Sequence, residues 1–203
     1  MASLHDLIGS IIIGGIVLLM LLTFNGNVLQ SAGVQTFNTT VQSNLTAVTE
    51  ILEYDFRKMG YRVPLAIDNA IVAGDSSSIT IKGDFDNNGS LDIISYGVTK
   101  TKAIGSTNPK ARILWRKVNA APADSFNVGI TRFNLQYIDT QKNVYSNSIT
   151  AIAGKISAIK ISVAVEGKEH FLERKTQYLT DALNDTLYVG AYWERTIKPK
   201  NMR

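Results

Sequence analysis

The chain has 203 residues, with 21 Lys and Arg against 17 Asp and Glu and a formal net charge of +4. That length suits one domain plus an anchor, and so small a charge, with no dense basic stripe interleaved with aromatics, argues against a nucleic-acid partner. Cysteine is absent, which excludes a disulfide framework, a thiolate metal site and a cysteine nucleophile; two histidines, His5 and His170, are too few for a histidine-rich metal site.

The first predicted element is a membrane span. Residues 7–24 are drawn from Leu, Ile, Val, Met, Gly, Ser, Thr and Phe. A helix of that length is roughly 27 Å long, close to a hydrocarbon core of ~30 Å. The preceding "MASLHD" has no Lys or Arg and no convincing cleavage site follows, so a retained anchor is preferred over a secretory signal. Asp6 stands directly before the span. Gly9, Gly14 and Gly15 are small residues of the kind that let helix backbones approach.

The second element continues the first. Val34, Phe37, Val41, Leu45, Val48, Leu52, Phe56 and Met59 recur in steps of three and four, a helical stripe. Gly60 and then Pro64 supply the stop. Together the two make a helix of over 50 residues, roughly 80 Å long at helical rise, with "FNGN" at 24–27 as its expected weak point. No ionisable residue occurs from 7 to 49, a run of 43 residues, and every Lys and Arg lies at or after Arg57. A greasy helix that becomes amphipathic yet stays uncharged suits packing against copies of itself, where buried charges are costly.

The remainder reads as strands. "SSITIKG", "LDIISYGV", "RILWRKV", "RFNLQYID" and "SAIKISVAVEG" alternate apolar and polar residues between turn-forming clusters. The expected class is α+β: an antiparallel sheet packed on the second half of one long helix. The expected division is a helix over 1–60 and a β-rich body over 61–203. "KAIGSTNPKA" is expected as a surface loop and the tail "TIKPKNMR" as a frayed, solvated end.

The most specific local motif is "DFDNNGSLD". Asp84, Asp86, Asn88 and Asp92 occupy positions 1, 3, 5 and 9 of a calcium-loop pattern, with Gly89 at position 6. Ser90 offers a carbonyl, and Leu91 is the apolar residue expected to tie the loop to a core. Position 12 is Ser95 instead of a bidentate Glu, and the flanks read as strands, so the motif is no EF-hand. A metal-free hairpin turn uses the same residues. No G-x-S-x-G, P-loop, H-E-x-x-H or dinucleotide fingerprint occurs, which argues against an enzyme. His170 is expected on the surface. The sequons at Asn38, Asn44, Asn88 and Asn184 are read as chance in a chain rich in Asn, Ser and Thr.

These features resemble the type IV pilin and type II secretion pseudopilin superfamily. "LEYDFRKMGYRV", "ITIKGDFDNNGSLDIISYGV", "ILWRKV", "VGITRFNLQYIDTQKN" and "ISAIKISVAVEG" are similar, in that order, to segments of its minor subunits of the PilW and pseudopilin J type. The resemblance implies that the helix anchors the subunit in the membrane and then packs in a filament core. It also implies that Asp6, fifth once Met1 is removed, pairs with the amine of a neighbouring subunit. The usual basic leader and Phe-Thr-Leu-Ile-Glu motif are missing, so the leader is expected either to have been trimmed or never made. The expected function is a structural subunit of a pilus or secretion-type filament, with other pilin-like subunits as partners. Asp6, Gly14 and Gly15 serve assembly, and calcium is the candidate ligand of Asp84, Asp86, Asn88, Ser90 and Asp92. The expected location is a bacterial inner membrane with an exported body, then a periplasmic or cell-surface filament. The alternative is a single-span anchored β-rich binding domain that does not polymerise.

Overall fold

The computed structural model describes residues 4–64, 69–167, 188–199 and 201. His170, the sequon at Asn184 and the tail residues Lys200 and Arg203 lie outside them. The chain divides into two compact units, Met1–Thr39 and Thr40–Arg203.

Helix α1 is Leu4–Lys58, 55 residues. Its helical assignment is unbroken over residues 24–27. One Gly costs a helix only about 1 kcal/mol relative to Ala, and each flanking Asn under about 0.7 kcal/mol, too little to interrupt a helix with long apolar runs on its N-terminal side and an amphipathic stripe on the other. The end of the helix is set by Gly60, whose φ of +77° is the left-handed conformation glycine adopts without strain. A side chain at Gly60 would also crowd the Asn201 carbonyl oxygen at 3.0 Å.

The second unit is built on an antiparallel sheet. Its strands are β1 (Ile71–Gly74), β2 (Ser78–Gly83), β3 (Asp92–Val98), β4 (Arg112–Val118), β5 (Asp124–Asp139), β6 (Val144–Tyr145), β7 (Ile156–Glu166) and β8 (Gly190–Ile197). The order is β1-β2-β3-β4-β5-β7-β8, with β6 paired to β5. Strand periodicity explains the inner face: Ile79 and Ile81 on β2, Ile94 and Tyr96 on β3, and Ile159, Ile161, Val163 and Val165 on β7 are buried. Against them lies the helical stripe from Val41 onward, with Val48, Leu52, Phe56 and Met59 buried in the same core. Each such side chain contributes about 1.5–3 kcal/mol of transfer free energy. The class is therefore α+β, a long N-terminal helix whose second half packs on an antiparallel sheet.

One stretch differs from the sequence reading, and a second is only partly solvated. The tail "TIKPKNMR" begins inside β8: Thr196 pairs with Lys160 and Ile197 with Ile159, and Ile197 is buried. The "KAIGSTNPKA" stretch is a surface loop as expected, with Lys102, Ile104, Thr107 and Lys110 exposed, but it turns Ala103, Ser106, Asn108 and Ala111 inward, and the Asn108 side-chain amide donates to Glu166 at 2.8 Å.

Candidate functional site

Two features carry chemistry, one in each unit. The first is the apolar surface of α1. It is long and apolar enough to cross a membrane, and none of that apolar window is buried. Leu7, Ile11, Ile13, Leu18, Leu19 and Met20 are all exposed. The hydroxyls within it turn back onto the helix, Ser10 to the Leu7 carbonyl at 2.8 Å and Thr23 to the Leu19 carbonyl at 2.9 Å. Their polarity is thus met internally, as an apolar medium requires. Asp6 lies exposed in the first turn, where the helix dipole favours an acid. A Cβ placed on Gly14 or Gly15 would meet nothing within 4 Å. Among the described residues, no contact outside the helix itself requires a glycine at either position.

The second feature is the loop between β2 and β3. Gly83 and Asp92 pair across its base, so the sheet register brings the first and last acids of "DFDNNGSLD" together. Oxygens of Asp84, Asp86 and Asp92 lie within 4.8 Å of one another. Asp84 is fully enclosed. Its Oδ2 accepts from the Arg62 guanidinium at 2.8 Å and from the Gly89 N–H at 3.0 Å. Burial would raise the Asp84 carboxyl, but these donors outweigh it and hold the group below the usual carboxylate range. Gly89, at φ +90°, makes the turn that delivers its N–H. Asp84 Oδ1 is buried and accepts no hydrogen bond among the described residues.

Asp86 and Asn88 are exposed and organise the tip. The Asn88 N–H donates to Asp86 Oδ1 at 3.0 Å, and the Ser90 N–H to Asn88 Oδ1 at 2.7 Å. Asp92 accepts from the Asn119 side-chain amide at 2.7 Å and from the Phe85 N–H at 3.3 Å. The end of α1 grips the same loop. Lys58 Nζ donates to the Phe85 carbonyl at 2.7 Å and to Asn87 Oδ1 at 3.0 Å, and the Tyr54 hydroxyl donates to the Phe85 carbonyl at 3.2 Å.

Leu91 does not tie the loop to the core; it is 42 % exposed. Strand alternation turns Asp92 and Ile94 inward and leaves Leu91 and Ile93 outside. Phe85, buried in the core, does that work instead. Ser95, at position 12, hydrogen-bonds Thr80 across the sheet at 2.9 Å. The sequence reading missed Lys58, Arg62, Phe85 and Asn119. A basic pair at a helix end followed by three closely spaced acids was the only signal available.

No family model and no curated protein matches this chain. Among solved structures it is similar to a type IV-like pilin from Thermus thermophilus, with a TM-score of 0.46 and 13% identity over 80% of this chain and 98% of that one.

Proposed function

We propose that this chain is a pilin-like structural subunit that assembles, through its N-terminal hydrophobic helix, into a type IV pilus or type II secretion-type filament. The observation that carries the reading is the chemistry of α1. Its large apolar side chains over residues 7–24 are exposed, and the absence of ionisable side chains extends on to Thr49. A bilayer accounts for the first part only. A stalk standing in water has no reason to avoid Lys and Glu for a further 25 residues or so. Neighbouring helices of the same kind do give that reason, because a charge buried between them is expensive. Open space around Gly14 and Gly15 supports the same view, since small residues admit a neighbouring backbone.

In this reading the helix holds the subunit in a bacterial inner membrane before assembly, with the β-rich body exported. Afterwards the helices form the filament core in the periplasm or at the cell surface. The work is structural, driven by burial of Leu, Ile and Val among neighbours. The test is a photo-crosslinking benzoylphenylalanine placed at Leu18 in the native host. Adducts to the apolar helix of another subunit are expected. Adducts to lipid alone would contradict assembly and leave an anchored domain that does not polymerise.

A further inference from the structure

We propose that the outer face of β5, β7 and β8 binds a saccharide bearing a carboxylate, with Arg132 pairing the acid and Asn134, Gln136 and Tyr192 seating the sugar ring. The site is a cavity of about 570 Å³, within the roughly 300–1,000 Å³ of small-molecule sites. The sheet register builds it. Three neighbouring rungs cross the strands: Arg132–Ala164–Tyr192, Asn134–Ser162–Glu194 and Gln136–Lys160–Thr196. The residues between them, Phe133, Leu135, Ile161 and Val163, are buried in the core, so strand alternation turns these rungs to the opposite face. The ladder is interrupted here as well. Register shifts between Ile130 and Arg132 where β5 meets β7, and between Arg112 and Leu114 where β4 meets β5. Arg112, Ile130 and Arg132 all line the cavity, and such irregularities re-aim side chains.

The lining divides into groups already bonded and groups left over. Glu194 pairs with Lys160 at 2.7 Å and accepts from the Ser162 hydroxyl at 2.9 Å and the Tyr192 hydroxyl at 2.5 Å. Its charge is met and its position held. The side chains of Arg132, Asn134 and Gln136 bond no other described residue, and Arg132 is exposed. Arg112, Arg132 and Lys160 line the cavity against one acid, Glu194, which leaves a surplus of positive charge. A guanidinium fork matches a planar carboxylate. The two amides each donate and accept, which suits ring hydroxyls. Tyr192, 53 % exposed, adds an aromatic face with a polar tip. A nucleic-acid strand calls for a run of cations along its phosphates, whereas here one unpaired fork meets one acid. The site belongs to the body and does not depend on filament assembly, so either idea can fail without the other.

The test is calorimetric titration of the full chain in mild detergent, at about 0.15 M salt so that loose attraction between exposed charges is screened. The probes are short oligomers of galacturonate and of mannuronate, a neutral galactose oligomer, and a single-stranded oligonucleotide of equal charge. At least one uronate oligomer is expected to bind at one site, and the neutral oligomer at least about tenfold more weakly. Arg132 is exposed and unpaired among the described residues, so Arg132→Gln is expected to leave the melting temperature unchanged and to weaken uronate binding about tenfold or more. Lys117, an exposed cation of β4 outside the cavity, serves as the control, and Lys117→Gln is expected to bind as wild type does. Absence of binding by both uronates at millimolar concentration would overturn the proposal. So would equal losses in Arg132→Gln and Lys117→Gln, or equally tight binding of the oligonucleotide, since either would reduce the effect to general attraction of anions.

Discussion

Tyr96 donates its phenolic proton to Asp55 at 2.5 Å, with both residues buried between β3 and the last turns of α1. Arg116 completes the group, its Nε lying 2.7 Å from Asp55 and 3.0 Å from the Tyr96 oxygen. Burial and the nearby carboxylate push the Tyr96 phenol far above its ordinary range, so it stays a donor. The network joins the helix to two strands by directional bonds inside an otherwise apolar core. Removing one partner leaves the others unsatisfied. Asp55→Ala is expected to destabilise the body by about 3–5 kcal/mol, and Tyr96→Phe by about 1.5–3 kcal/mol. The two effects should be non-additive, because the residues share one network. Urea unfolding of both variants and of the double variant checks this; additive losses would show that the residues act separately.

Phe56 and Leu18 lie on the same helix in opposite surroundings. Phe56 is 0 % exposed in the core and Leu18 is 57 % exposed. Phe56→Ala should cost the body about 3–5 kcal/mol, whereas Leu18→Ala should leave its unfolding midpoint unchanged. Equal losses from the two changes, measured by denaturant unfolding in detergent, would mean that the first turns of the helix stabilise the body.

Glu194 links stability to pH. Lys160 at 2.7 Å, then the Tyr192 and Ser162 hydroxyls, hold its carboxyl down to about 2. In the unfolded chain a glutamate titrates at about 4.3. The unfolded state therefore takes up the proton first as pH falls. The contribution of Glu194 is complete above its unfolded pKa and is lost on acidification toward about pH 2. Glu194→Gln removes this term. Melting curves of wild type and variant should converge between about pH 5 and about pH 2; a gap independent of pH would rule out the titration.

The proposed assembly is tested apart from folding at three positions. Gly14→Leu and Gly15→Leu fill space that the described residues leave open, so the body should melt as before while incorporation into filaments falls sharply. Asp6→Ala should do the same through loss of its charge. Shearing assays read incorporation and tryptophan fluorescence reads the body. Normal incorporation of Asp6→Ala would remove that residue from the assembly reaction.

Periodicity made the architecture legible. The three-and-four spacing from Val41 to Met59 is the stripe that the core buries, and the alternation of Ile159, Ile161, Val163 and Val165 is the inward face of β7. The strands missed are those where alternation is absent or too short. β1 has four residues and β6 two, while β8 is an edge strand with Glu194, Arg195 and Thr196 all exposed. The loop acids were visible because their spacing is local. Their cationic partner Arg62 is 22 residues from Asp84 in sequence, and the register that delivers it is a tertiary fact. The Asp55 network spans 41 and 61 residues. Its one local sign was an acid beside Phe56 on the buried face of the helix.

The most direct measurement of the central claim is intact mass and N-terminal sequencing of the native protein, from the membrane fraction and from sheared surface material. The account predicts the chain in sheared, high-molecular-weight fibres, with a mature end that places Asp6 fifth. A chain found only in the membrane, and monomeric after mild detergent, would contradict it.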